Sequence, residues 1–341
     1  MLFMKNILRS FAAGFRIMFY LLQKDLRFQI FVLLALTGLF CFQLFAAPVA
    51  FCLYDPALPY ALSLDEWMAQ NQTVAQIGIL VLYVLQQLII YNYFKKNRFA
   101  DDDTLIPCIA LAAFMVVGGT ATHCTPVFIA NTAIIGLLRL SDDSESRHLK
   151  SRLLVAGALV GIASLYDLTL LLLAVSIILI LVTNRLNTLT DIFVALIGIL
   201  VPYIYVAAYH FFVGNLMDYL ASFTRLSLHF PLLAARPSIV SVVCIVVCFV
   251  LLIFILVKLK VRFDYKLIVI RKRFGNIHFL FIVSATILFL TNLPFPQSLG
   301  YLFVPIALYL AAYAPSRRFS ISKEVVLTLF LTAITLIGIG L

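Results

Sequence analysis

Residues 153–182 read LLVAGALVGIASLYDLTLLLLAVSIILILV, an apolar run whose one charged residue, Asp167, stands at its middle. Such a run is either a single tilted membrane helix or two short arms that turn back at Tyr166-Asp167. Flanking charge separates the two readings. As one span, it would leave Arg185 and the heavily basic segment 258–273 on the outer side, against the tendency of Lys and Arg to stay in the cytoplasm. As a hairpin, it puts both inside.

Working outward, composition makes the bilayer the solvent. The chain has 341 residues, of which 64% are hydrophobic and only 12% charged, and its mean hydropathy is +1.09. Soluble chains carry roughly a quarter charged residues, so this one has too few to cover a soluble surface. No fixed-period repeat and no hydrophilic stretch of domain length interrupts it. One membrane domain over residues 28–341 follows, preceded by residues 1–27. There Lys5, Arg9, Arg16, Lys24 and Arg27 interleave with Phe3, Ile7, Phe11, Phe15, Phe19 and Leu22, predicting a basic amphipathic helix on the inner surface against anionic lipid. The first long apolar run lies behind a segment longer than an ordinary signal-peptide n-region and is expected to stay in the chain.

The remaining runs alternate. Residues 28–54 go out and 73–94 return. Residues 104–140, as one helix, would reach about 55 Å against a hydrocarbon core of about 30 Å, so they fold back at the turn Gly118-Gly119 to Pro126. After the second hairpin come 191–212, 239–257, 277–292, 300–314 and 325–341. The expectation is an all-α, polytopic membrane protein of about 11 spans with a cytoplasmic N-terminus. In that arrangement 23 of the 25 Lys and Arg lie inside, and Arg225 and Arg236 alone lie outside. The formal net charge of +10 is then a topology signal and gives no support to nucleic-acid binding.

Several chemistries have no pattern here. The five His residues are scattered, no Gly-rich phosphate loop occurs, and no Ser nucleophile elbow occurs. No cofactor is expected, beyond a divalent metal that an acid pair could hold. Cys52 and Cys124 fall on the oxidising side, and whether they pair is left open.

What remains is a set of polar groups at the outer ends of the spans. Asp65 and Glu66 sit in the outer segment 55–72, where two adjacent acids are either solvated charges or a working pair. Asp167 and Tyr166 stand at one hairpin apex and His123 at the other; an acid held below the surface needs a partner or a water-filled cavity. Asp167 either faces an outward vestibule or simply caps the arm that follows it. The outer segment 213–238 carries Arg225, His229 and Arg236 among apolar residues, which suits phosphate or sugar-acid binding, or headgroup anchoring of a surface helix.

The Asp65-Glu66 pair after the first span resembles that of multi-span lipid-linked glycosyltransferases, and the Arg- and His-bearing outer segment resembles that of glycan polymerases. The resemblance implies catalytic roles for Asp65 and Glu66 and substrate contacts for Arg225, His229 and Arg236; the vestibule reading of the two apices adds Asp167 as a catalytic candidate and His123 and Tyr166 as substrate contacts. The resemblance also implies a polyprenyl-phosphate-linked substrate. Across the centre of the chain FIANTAIIGLLRL (128–140), AGALVGIASLYD (156–167) and TDIFVALIGILVPYIY (190–205) resemble an uncharacterised family of multi-span inner-membrane proteins from Bacteroidota-type bacteria. That resemblance implies a bacterial inner membrane and no particular reaction. Three functions therefore stay open: handling of a lipid-linked envelope glycan intermediate at the periplasmic face, a transporter or flippase with an outward vestibule, and a scaffold for membrane-protein partners.

Overall fold

The computed structural model describes residues 25–46, 70–100, 104–118, 125–140, 149–183, 189–224, 239–291, 293 and 297–314. Among them every regular element is helical. The first described residue, Asp25, caps α1 (Leu26–Ala46), its carboxylate accepting the Arg27 N–H at 2.9 Å. Then come α2 (Gln72–Lys96), the pair α3 (Ile106–Val117) and α4 (Thr125–Leu140), and α5 (Leu149–Tyr166). A 3-10 helix over Leu168–Leu172 leads into α6 (Leu173–Thr183). Next are α7 (Leu189–Val213), the short α8 (Leu216–Thr224), α9 (Ile239–Asp264) and α10 (Ile268–Leu290). A second 3-10 helix, Gln297–Leu302, opens α11 (Phe303–Tyr313).

Six of these helices, α1, α2, α5, α7, α9 and α10, are long and apolar enough to cross a membrane. The other apolar helices are shorter. Apolar side chains cover the outside as well as the core: on α1, Phe40 is fully buried while Phe42 is 71% exposed. In water an outer surface of that kind would aggregate, whereas in lipid it is solvated. This is the surface of a multi-pass, membrane-integral protein.

Both long apolar runs fold as two arms. Residues 104–140 break after Gly118 into α3 and α4, and residues 153–182 break at Asp167. The arms are unequal, α3 spanning about 18 Å and α5 about 27 Å. The basic segment 258–273, which reads in sequence as a loop, is instead helical on both sides of a turn at residues 265–267. Lys and Arg are good helix formers, so α9 and α10 run on into their charged turns. The predicted span 325–341 lies outside the described residues, as do residues 1–24 of the predicted amphipathic helix 1–27, whose last residues, Leu26 and Arg27, open α1.

Close packing follows small residues. On α5, Gly157 and Gly161 lie against α7, where an added methyl would strike the Ala195 carbonyl oxygen at the first and come 2.5 Å from the Ile199 carbonyl oxygen at the second. From the α7 side, Gly198 meets the Leu154 carbonyl in the same way. Backbones this close gain dispersion contact over a long seam, which is what drives association in lipid. The register 157 with 195, 161 with 199 and Ser164 with Tyr203 rises together, so α5 and α7 run parallel.

A chain of contacts shows which helix ends share a face. Gln76 Nε2 of α2 donates to the Leu44 carbonyl near the end of α1 at 2.9 Å, and Gln43 Nε2 donates to the Val116 carbonyl near the end of α3 at 3.1 Å. Gly118 abuts the Phe303 ring at the start of α11, and Tyr301 just before it bonds Asp167 at the end of α5. Because α7 parallels α5, its C-terminal end lies on this face too. On the opposite face, Arg262 Nη1 of α9 donates to the Ala312 carbonyl of α11 at 2.8 Å, and Lys266 Nζ donates to the Arg98 carbonyl beyond α2 at 3.3 Å. Thus the end of α1 and the start of α2 lie on the Asp167 face, and the basic ends of α2 and α9 gather on the other.

Candidate functional site

At Asp167 the backbone is extended, φ −145° and ψ 111°, which stops α5 after its last turn; the Asp167 N–H still reaches the Ala163 carbonyl at 3.3 Å. One carboxylate oxygen, Oδ1, accepts the Thr169 N–H at 3.0 Å and the Thr169 hydroxyl at 2.6 Å. That is an N-cap for the 3-10 helix, because a side-chain acceptor satisfies a donor the first turn leaves open.

The second oxygen reaches much further along the chain. Oδ2 accepts the Thr291 hydroxyl at 2.5 Å and the Tyr301 hydroxyl at 2.8 Å. Thr291 ends α10 with extended backbone, and its Oγ1 also accepts the Leu293 N–H at 3.2 Å. Tyr301 is fully buried in the second 3-10 helix. One half-buried carboxylate thus receives four hydrogen bonds and joins the turn after α5, the end of α10 and the start of α11. An ionised carboxylate offers about four lone-pair sites, and all four are used. Such charge-assisted bonds are shorter and stronger than neutral ones, so Asp167 holds three broken helix ends together.

Neither sequence reading of Asp167 named Thr291 or Tyr301. The cap is present, while Thr291 and Tyr301 are additions that sequence reasoning missed. The stretch Leu293-Pro-Phe-Pro-Gln-Ser-Leu-Gly signalled a broken segment near Tyr301. Nothing in it pointed to residue 167. Gly300 presses on the Val127 side chain at the start of α4, which brings the other hairpin to the same node.

Tyr166, the residue before Asp167, is half-buried at the end of α5. The other predicted site residues, Asp65, Glu66, His123, Arg225, His229 and Arg236, lie outside the described residues, as do Cys52 and Cys124. The helices that lead to them do not. After α7, Gly214 takes a left-handed φ of +84°, with its N–H on the Phe211 carbonyl at 3.2 Å and the Asn215 N–H on the His210 carbonyl at 2.9 Å. This Schellman arrangement closes α7 and turns the chain into α8. Tyr219 of α8 stacks on His210 with centroids 5.0 Å apart, while Met217 is 78% exposed. Burial first, and then the neighbouring Tyr203, pushes the Tyr219 hydroxyl up to about 12, so this anchor stays neutral. The described part of the segment 213–238 therefore holds a helix, Leu216–Thr224, that Tyr219 anchors on His210.

Among the described residues no group of three or more His, Cys, Asp and Glu is arranged to hold a metal ion. In comparisons with known proteins, no family model, no curated protein and no solved structure matches the chain.

Proposed function

We propose that the protein handles a lipid-linked envelope glycan intermediate on the Asp167 face, as a glycosyl transferase, with that face directed to the periplasm. The observation that carries the reading is the shared origin of the polar segments. The helix ends that flank residues 47–69, the stretch holding Asp65 and Glu66, lie on the face where Asp167 ties α5, α10 and α11. The segment with Arg225, His229 and Arg236 starts from the end of α7 on the same face. Four of the helices that meet this face, α3, α4, α6 and α11, are short, as membrane segments around polar sites often are.

In this reading Asp65 or Glu66 accepts the proton of an acceptor hydroxyl as its oxygen bonds the sugar's anomeric carbon. The bond from that carbon to the lipid phosphate breaks, and the phosphate leaves with the electron pair. Arg225 and Arg236 suit that leaving group, since a guanidinium can bind phosphate through two parallel hydrogen bonds. His123, His229 and Tyr166 contact the sugar or phosphate. Asp167 supports the site by fixing the helix ends, and its four donors make it a positioning residue.

The test replaces Asp65 with Asn and Glu66 with Gln in the native host, in parallel with a deletion. Surface glycans and lipid extracts are analysed by mass spectrometry. The expected result is loss of one glycan species and accumulation of its lipid-linked precursor in both strains. Unchanged glycans and lipids in the double variant, with the protein present in the membrane, would overturn the reading.

A further inference from the structure

A cavity of about 580 Å³ lies between α2, α4 and α5, away from Asp167. Its two ends differ in chemistry. Lys96 at the end of α2, Arg139 at the end of α4 and Arg152 in the first turn of α5 line one end. Ile89, Ile135 and Val155 form walls beyond them. Leu85 and Val155 are 46% and 53% exposed, so the groove opens sideways on the apolar outer surface.

Gln86, only 1% exposed, also lines the groove. Its Nε2 donates to the Phe128 carbonyl at 3.0 Å and to the Thr132 hydroxyl at 2.6 Å, fixing α2 to α4. Its Oε1 is buried and has no donor among the described residues. From Lys96 to Gln86 is about 15 Å along α2, and to Leu82 about 21 Å, against about 15 Å for half the hydrocarbon core. The groove is therefore one leaflet deep, cationic at the surface end and apolar along its length.

We infer that this groove is a binding site for one anionic glycerophospholipid, its phosphate among Lys96, Arg139 and Arg152 and one acyl chain along α2, α4 and α5. Charge complementarity selects the headgroup, since basic clusters where helices meet the membrane surface bind anionic lipid heads. Depth selects the chain, because a long polyprenyl tail would lie mostly outside a groove one leaflet deep. The inference is independent of the chemistry proposed for the Asp167 face.

Native mass spectrometry of the full chain tests it, after delipidation and re-equilibration with equimolar palmitoyl-oleoyl phosphatidylglycerol and phosphatidylcholine. The wild type is expected to retain one phosphatidylglycerol with a preference of about tenfold. The combined Lys96→Gln, Arg139→Gln and Arg152→Gln variant, with unchanged helical circular dichroism, should lose that preference. In the wild type alone, dihexanoyl phosphatidylglycerol should compete about tenfold more weakly, having too little chain to fill the groove. Equal retention of the two lipids, an undiminished preference in the variant, or equal competition by the short-chain lipid would overturn the site. Displacement by equimolar polyprenyl phosphate would overturn the choice of occupant.

Discussion

On one side of the molecule Asp167 gathers Thr169, Thr291 and Tyr301 onto a single carboxylate. On the other, Phe263 and Phe274 stack 3.9 Å apart, with Phe99 edge-on to both and Tyr309 edge-on to Phe274. The difference follows from how the chain arrives. Helix ends near Asp167 are broken into 3-10 turns and extended residues, which leave backbone and hydroxyl donors that need an acceptor. Near Phe274, α9 and α10 run on through their charged turns, and rings fill the space between regular helices. The cations there are satisfied peripherally: Arg262 and Lys266 donate to carbonyls at the ends of α11 and α2, where a helix presents negative partial charge. One end of the fold depends on a single charged acceptor, and the other on many dispersion contacts.

The sharpest way to separate the two is to remove each centre. Phe274→Ala empties the ring stack and is expected to lower stability by about 3–5 kcal/mol, seen as the largest fall in detergent melting temperature. Asp167→Ala leaves the Thr291 and Tyr301 hydroxyls and the Thr169 N–H without their acceptor. Its expected cost is about 3 kcal/mol. Faster hydrogen exchange should be confined to residues 166–172 and 297–302, with the Phe274 end protected. Exchange spread evenly over both ends would show that the carboxylate is not a local staple. Tyr301→Phe removes one of the four bonds and should cost about 1 kcal/mol. A loss as large as that of Asp167→Ala would place the staple's strength in Tyr301 alone.

Much of the framework was legible because membrane topology is written in charge and length. The parity of basic segments required residues 153–182 to turn back, and they turn at Asp167. The excess length of residues 104–140 and the turn after Gly118 announced α3 and α4. Gly157, Gly161 and Gly198 are small residues within the predicted apolar runs, and carbonyls approach each of them. Gln86, a polar residue inside the predicted span 73–94, bonds α4. Contacts between distant segments left no such trace. Thr291 and Tyr301 are ordinary residues more than a hundred positions from Asp167, and a single sequence does not say which helix ends meet. The helical continuation through residues 258–264 was hidden by the same charge that located it, since basic residues mark a membrane boundary whether or not the helix stops there. The groove beside Gln86 depends on three helices at once, which no local pattern reveals.

The account rests on the two faces lying on opposite sides of a membrane, the acid-bearing one outward. Single cysteines placed at Asp65 and at Lys266 in a cysteine-free chain test this directly, with a membrane-impermeant maleimide applied to intact and then to permeabilised cells. Labelling of Asp65→Cys in intact cells, and of Lys266→Cys only after permeabilisation, is the predicted result; the reverse pattern, or labelling of both in intact cells, would contradict it.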